Sequence, residues 1–192
     1  MLKSFIKSSD NTAKLQFQKD LVNLYDEWLQ YFPKSKRGES EVGKILAIKA
    51  QTMLDYKLGS DSEIVQIYDE AFKKDPTSFK SPKGLYNYFK LYFKMYKSDD
   101  QDVSLEEVFD KYEELTEKFE YEMGAYTAKL DLILKKEENS TPLSSREIRN
   151  KKVYEVNMVA CDTYLNNLNA IIAKESTCEN LIPLYRKNFE SF

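Results

Sequence analysis

The 192-residue sequence contains no histidine, two cysteines, five glycines and five prolines. Without histidine, nucleophilic schemes that pair serine or cysteine with an imidazole base cannot be assembled. Two cysteines alone do not fill a tetrahedral zinc shell, so no metal site is expected, and they do not make a disulfide framework. Cys161 and Cys178 read as free thiols, with a bridge between them as the alternative. The phosphate-binding patterns GxxxxGK[ST] and GxGxxG are absent, and no cofactor is expected. No apolar run reaches the roughly 20 residues that a membrane-spanning helix needs. The opening "MLKSFIKSSDNTAKL" has no apolar core and no small-residue cleavage site, so it is not a secretory signal as it stands.

What is present favours helices. Hydrophobic residues make up 42% and aromatic residues 14% of the chain, enough for a packed core. Breakers are few, while Lys, Glu, Leu and Tyr abound. The formal net charge of −3 gives no reason to expect a nucleic-acid partner.

Apolar spacing predicts a first helix over roughly Thr12 to Phe32, with Leu15, Leu21, Leu24, Trp28 and Phe32 along one side. A second is expected from about Ser40 to Lys57 on Ile45, Ile48, Met53 and Leu54, with Gly59 as its C-terminal cap. Asp61 or Ser62 is placed to cap a third helix that ends near Asp75. The fourth, "PKGLYNYFKLYFKMYK", is apolar or aromatic on most sides, which implies burial on more than one face or a binding surface. Ser104 with Glu107, and Ser144 with Glu147, are capping boxes. They open two long helices, one to about Glu138 and one to about Lys174. The first carries Tyr112, Leu115, Phe119, Met123, Tyr126, Leu130 and Ile133. The second carries Val153, Val156, Ala160, Tyr164, Leu168 and Ile171. Joined by "NSTPLSS", the two should pack as an antiparallel hairpin. A last helix, "CENLIPLYRKNFESF", closes the chain.

One phrase occurs twice. "LVNLYDEWLQYFP" runs from Leu21 to Pro33 and "IVQIYDEAFKKDP" from Ile64 to Pro76, 43 residues apart. Weaker echoes begin at Leu105 and at Leu181, the latter with Tyr185. Spacings of this size belong to helical-hairpin solenoids, whose units bury their apolar stripes only against neighbours.

In "YDEAFKKDP", Tyr68, Ala71 and Pro76 fall at the aromatic, small and proline positions of a tetratricopeptide repeat (TPR), which the segment resembles. Tyr25 and Pro33 fit the same motif, with Trp28 at its small position. "LYDEWLQYFP" and "CENLIPLYRKNF" also resemble segments near the front of large exported bacterial TPR proteins. The resemblance implies an all-α fold: a TPR-like stack of antiparallel hairpins over residues 1–100, one extended helical hairpin over 104–174, and a terminal helix over 178–192. It implies a single helical-repeat domain, or a piece of a longer array continuing past Phe192. It further implies an exported or periplasmic setting, with a cytoplasmic one as the alternative.

Charge is distributed unevenly. Lys80 to Lys97 holds five lysines and no acids, whereas Leu105 to Met123 holds eight acids and two lysines. Complementary rows on neighbouring helices are one reading. The TPR register supplies another: with Leu85, Tyr88, Phe89 and Tyr92 inward, Lys83, Tyr86, Lys90 and Phe93 line a concave groove. Lysines interleaved with rings suit an acidic or C-terminal peptide. The carboxylate-clamp pattern of co-chaperone repeats is not matched. The expected role is therefore a non-enzymatic protein-interaction scaffold, its partner a protein or peptide, or further repeats of its own chain. An architectural segment of a larger exported or envelope-associated repeat protein is the alternative, and a carboxylate-based hydrolase is the remote one. The acidic run "LEEVFDKYEELTEKFEYE" reads as a solvated helix face.

Overall fold

In a computed structural model, which describes residues 11–98 and 103–190, the chain is all-helical. The Phe192 terminus, the opening residues 1–10 and the side chain of Tyr185 lie outside the described residues. Among the described residues seven helices follow one another: α1 (Asn11–Tyr31), α2 (Val42–Tyr56), α3 (Asp61–Lys74), α4 (Pro82–Tyr96), α5 (Leu105–Glu138), α6 (Ser145–Ile172) and α7 (Cys178–Glu190). Among the described residues the only extended pairing is an isolated bridge between Lys34 and Ser40. The chain divides into two compact units, Met1–Leu91 and Tyr92–Phe192.

In the first unit α1 packs on α2, and α2 on α3. Ile45, Ala50, Ile64, Tyr68, Ala71, Phe79, Leu85, Tyr88 and Phe89 form its buried interior. The Tyr68 ring stacks on Phe79 at 5.8 Å and on Tyr88 at 5.6 Å between centroids, which joins α3 to α4 through aromatic faces. On α1 the buried line is Gln18, Leu21 and Tyr25. Leu15, Leu24 and Phe32, expected on that line, are exposed. Among the described residues the covered strip of α1 is the one that meets Ile45, with Phe17, Trp28 and Leu29 half-buried beside it.

Two end signals differ from expectation. Lys57, not Gly59, takes the left-handed conformation that closes α2 (φ 56°), and the Leu58 N–H donates to the Met53 carbonyl at 2.8 Å. Gly59 (φ 80°) instead shapes the turn that follows. The cap of α3 is Ser60 rather than Asp61 or Ser62. Its Oγ accepts from the Glu63 N–H, and the Glu63 carboxylate accepts from the Ser60 N–H at 2.7 Å. Asp61 and Ser62 fall inside the first turn.

In the second unit α5 and α6 form the antiparallel pair, and both of its predicted capping boxes are present. Lys151 to Glu137 (2.7 Å) and Lys136 to Glu147 tie the two helices near their joining turn. Val108, Leu115, Phe119 and Ile133 are buried on α5, and Cys161, Leu168 and Ile172 on α6. Val153 and Val156, expected on the buried stripe of α6, are exposed. Tyr154 meets Tyr126 at 6.0 Å instead, and Met158 reaches Thr127. Beyond α6, Glu175 is buried and accepts from Lys97 (2.7 Å) and from the Tyr96 hydroxyl (3.3 Å). No helix among the described residues is long and apolar enough to cross a membrane.

Candidate functional site

A recess of the first unit lies along α2. Lys44, Ile48, Gln51 and Asp55 recur at spacings of four and three, so they share one face of that helix. Opposite them the chain leaves α3, turns through Asp75–Ser81 and enters α4. A cavity of about 320 Å³ lies between, lined by this face of α2, by Ala47 and Thr52, and by Ser78 to Ser81. Ala47, Ile48 and Phe79 supply its apolar lining, and Lys44 and Lys80 are exposed beside them. A more polar recess of about 570 Å³ shares Lys44, Ser78 and Lys80 with it and continues past Asp75 to Ser35 and Glu39. Together they form a furrow.

Its polar groups are ordered by one another. The Gln51 side-chain oxygen accepts from Asn87 Nδ2 (2.7 Å) and from the Tyr68 hydroxyl (3.3 Å). Gln51 Nε2 donates to Asp55 Oδ1 at 2.7 Å, and Lys83 Nζ stands 3.5 Å from the same carboxylate oxygen. Burial, with the nearby Asp55 charge, pushes the Tyr68 phenol far above its ordinary range, so it remains a donor. At the other end Lys44 pairs with Glu41 at 2.6 Å. Lys80 makes no ion pair among the described residues. The furrow thus offers an apolar floor, fixed amide and hydroxyl groups and a lysine rim.

The residues singled out on α4 divide between the units. Lys83 stands at the furrow through Asp55, Lys90 is exposed, and Tyr86 is half-buried. Phe93 belongs to the second unit, where its ring lies 5.8 Å from Tyr96 and 5.6 Å from the Lys97 ammonium. Leu85, Tyr88 and Phe89 are fully buried as expected, and Tyr92 is half-buried. The lining from α2 and from the 78–81 turn, above all Gln51, Asp55 and Lys80, was not anticipated. The four-three-four spacing from Lys44 to Asp55 was the available signal. Among the described residues no group of three or more Cys, Asp or Glu side chains is placed to hold a metal ion.

Compared with known protein families, curated proteins and solved structures, the chain has no significant match.

Proposed function

We propose that the chain is a non-enzymatic protein-interaction scaffold of the tetratricopeptide-repeat kind, and that the furrow along α2 takes an extended segment of a partner protein. The observation that carries this reading is the furrow itself. It joins apolar lining from Ala47, Ile48 and Phe79 to a rim of Lys80 and Lys83, over side chains already fixed by hydrogen bonds. A pre-ordered groove spends little conformational entropy on its ligand. The rim charge favours segments carrying a carboxylate, either acidic side chains or a free C-terminus.

The test is a fluorescence-anisotropy screen of peptides with acidic or free C-terminal ends. Binders are expected whose affinity falls with added salt, and falls about tenfold when Lys80 and Lys83 become Ser. Serine at Lys90, Tyr86 and Phe93 in turn maps how far contact extends along α4. Far-UV circular dichroism must first show each variant folded. A library that yields no binder, or binders indifferent to the lysine changes, overturns the reading.

A second reading makes the chain an architectural segment that docks on further repeats. Its support is the recess of about 330 Å³ on α1 lined by Leu24, Glu27, Trp28, Tyr31 and Phe32, of which Tyr31 and Phe32 are each 66% exposed. On that reading, serine at Tyr31 and Phe32 leaves the isolated chain's stability unchanged and weakens its docking to a separately produced repeat segment.

A further inference from the structure

The helix α6 is apolar on two opposite sides. One side carries Tyr154, Cys161 and Leu168 toward α5. The other carries Ile148, Val153, Val156 and Val159, which are 59%, 47%, 60% and 67% exposed. Four neighbouring side chains of this size and exposure leave a patch of roughly 400 Å², within the range of the largest apolar patches that monomers show, which are often functional.

The order of residues on this side identifies what covers it. Ile148, Lys152, Glu155 and Val159 recur at spacings of four, three and four, along one edge of the exposed side. Read in the opposite direction the row becomes Val, Glu, Lys, Ile. An antiparallel copy that sets Ile148 against Val159 therefore sets Lys152 against Glu155, and the twofold axis repeats both pairings. The adjacent row, Arg149, Val153, Val156 and Ala160, has the same spacing and the same property. Val153 meets Val156, and the Arg149 stem lies over Ala160. Lys152 and Glu155 are exposed and make no ion pair among the described residues. Glu155 feels the Lys151 charge one turn away, but Lys151 is itself paired with Glu137, which leaves the Glu155 carboxylate open to a partner. A foreign helix would have to present this pattern reversed, whereas α6 is its own complement.

We infer that the chain self-associates as an antiparallel twofold dimer through the outer side of α6. The interface is isologous. Two such patches with their flanking charges bury roughly 1,200 Å² in total, the lower edge of specific interfaces, so the dimer forms in the micromolar range rather than the nanomolar. This surface shares no residue with the furrow along α2, and the inference does not depend on the reading given to that furrow.

Sedimentation equilibrium on the full chain, from about 1 µM to about 500 µM, should show the mean mass rise from 22.6 kDa toward twice that value. Lys152→Glu alone sets like charges opposite one another twice, as does Glu155→Lys alone. Each should weaken association about tenfold. An equimolar mixture of the two variants should regain it, because every pairing between unlike chains is then Lys against Glu. All these positions are exposed, so circular dichroism should be unchanged. A mass that stays at the monomer value throughout overturns the inference and leaves this side of α6 to another segment or protein. A dimer indifferent to both charge variants, or a mixture that fails to recover, overturns it as well.

Discussion

Gly43, in the first turn of α2, lies so close to Asp75 that a Cβ built on it would fall 2.0 Å from the Asp75 carbonyl oxygen. The contact closes a cap. Glu41, at the N-cap of α2, makes no capping hydrogen bond with its own side chain. The Gly43 N–H instead donates to Asp75 Oδ2 at 3.4 Å and the Lys44 N–H to Ser78 Oγ at 3.0 Å. The turn after α3 thus satisfies amides that would otherwise be stranded at the start of α2.

Gly43→Ala should therefore reverse the usual sign. In an exposed helix the change stabilises by about 1 kcal/mol. Here the added methyl meets backbone atoms of Asp75 and Ala71, which cannot step aside without separating α2 from α3. A loss of about 1–3 kcal/mol is expected, as for an overpacked core. Urea unfolding measures it, and an unchanged or higher midpoint would contradict the close approach.

Asp75 should govern part of the acid limb of stability. Burial alone would raise its carboxyl, but hydrogen bonds from Ser40, from the Ser78 hydroxyl and N–H, and from the Gly43 N–H outweigh that and hold it below the ordinary value. A carboxyl depressed in the folded state stabilises fully above its unfolded value of about 3.9 and loses that contribution as pH falls through the lower folded value. Asp75→Asn should lower stability at neutral pH and flatten the decline in that window. Urea midpoints of both proteins between about pH 2 and pH 7 decide it. Parallel curves would show that Asp75 has no such role.

Lys118 and Glu122 form a buried ion pair, one turn apart on α5, with Nζ to Oε1 at 2.5 Å and side chains 8% and 3% exposed. Removing one member strands the other. Lys118→Met should cost about 3–5 kcal/mol, while Lys118→Met combined with Glu122→Leu should fall within about 1 kcal/mol of the parent. A double-mutant cycle by chemical denaturation measures the coupling. Near-additive losses would contradict a buried pair.

The two thiols should differ in reactivity. Cys161 is buried, and its environment, chiefly burial and then the nearby Glu122, pushes the thiol up to about 11. Cys178 is exposed. Because the thiolate is the reactive form, a disulfide-exchange reagent at neutral pH should titrate one thiol promptly in the folded protein and two in denaturant. Two rapid equivalents without denaturant, or none, would contradict these environments.

By itself the sequence determined the features that a few consecutive residues control. Ser104 with Glu107 and Ser144 with Glu147 set two helix starts, because each box is complete within four residues. The period of Leu115, Phe119 and Ile133 placed the buried side of α5, and the repeated phrase placed Tyr68 and Ala71 at full burial. Lys83 was legible as an outward residue of α4, since it stands on a helix whose inward residues are unmistakably aromatic. The tertiary structure alone decided which apolar side is covered when a helix has two. On α6 the period fits either side, and α5 took the one that exposes Val153 and Val156. It alone decided that Lys118 and Glu122 leave the acidic face for the interior, and that Asp75 caps a helix through Gly43, 32 residues earlier. It also decided that Gln51, Asp55 and Lys80 line one furrow. Each of these depends on a neighbour distant in the chain, and a local pattern of spacing and charge carries no information about which neighbour arrives.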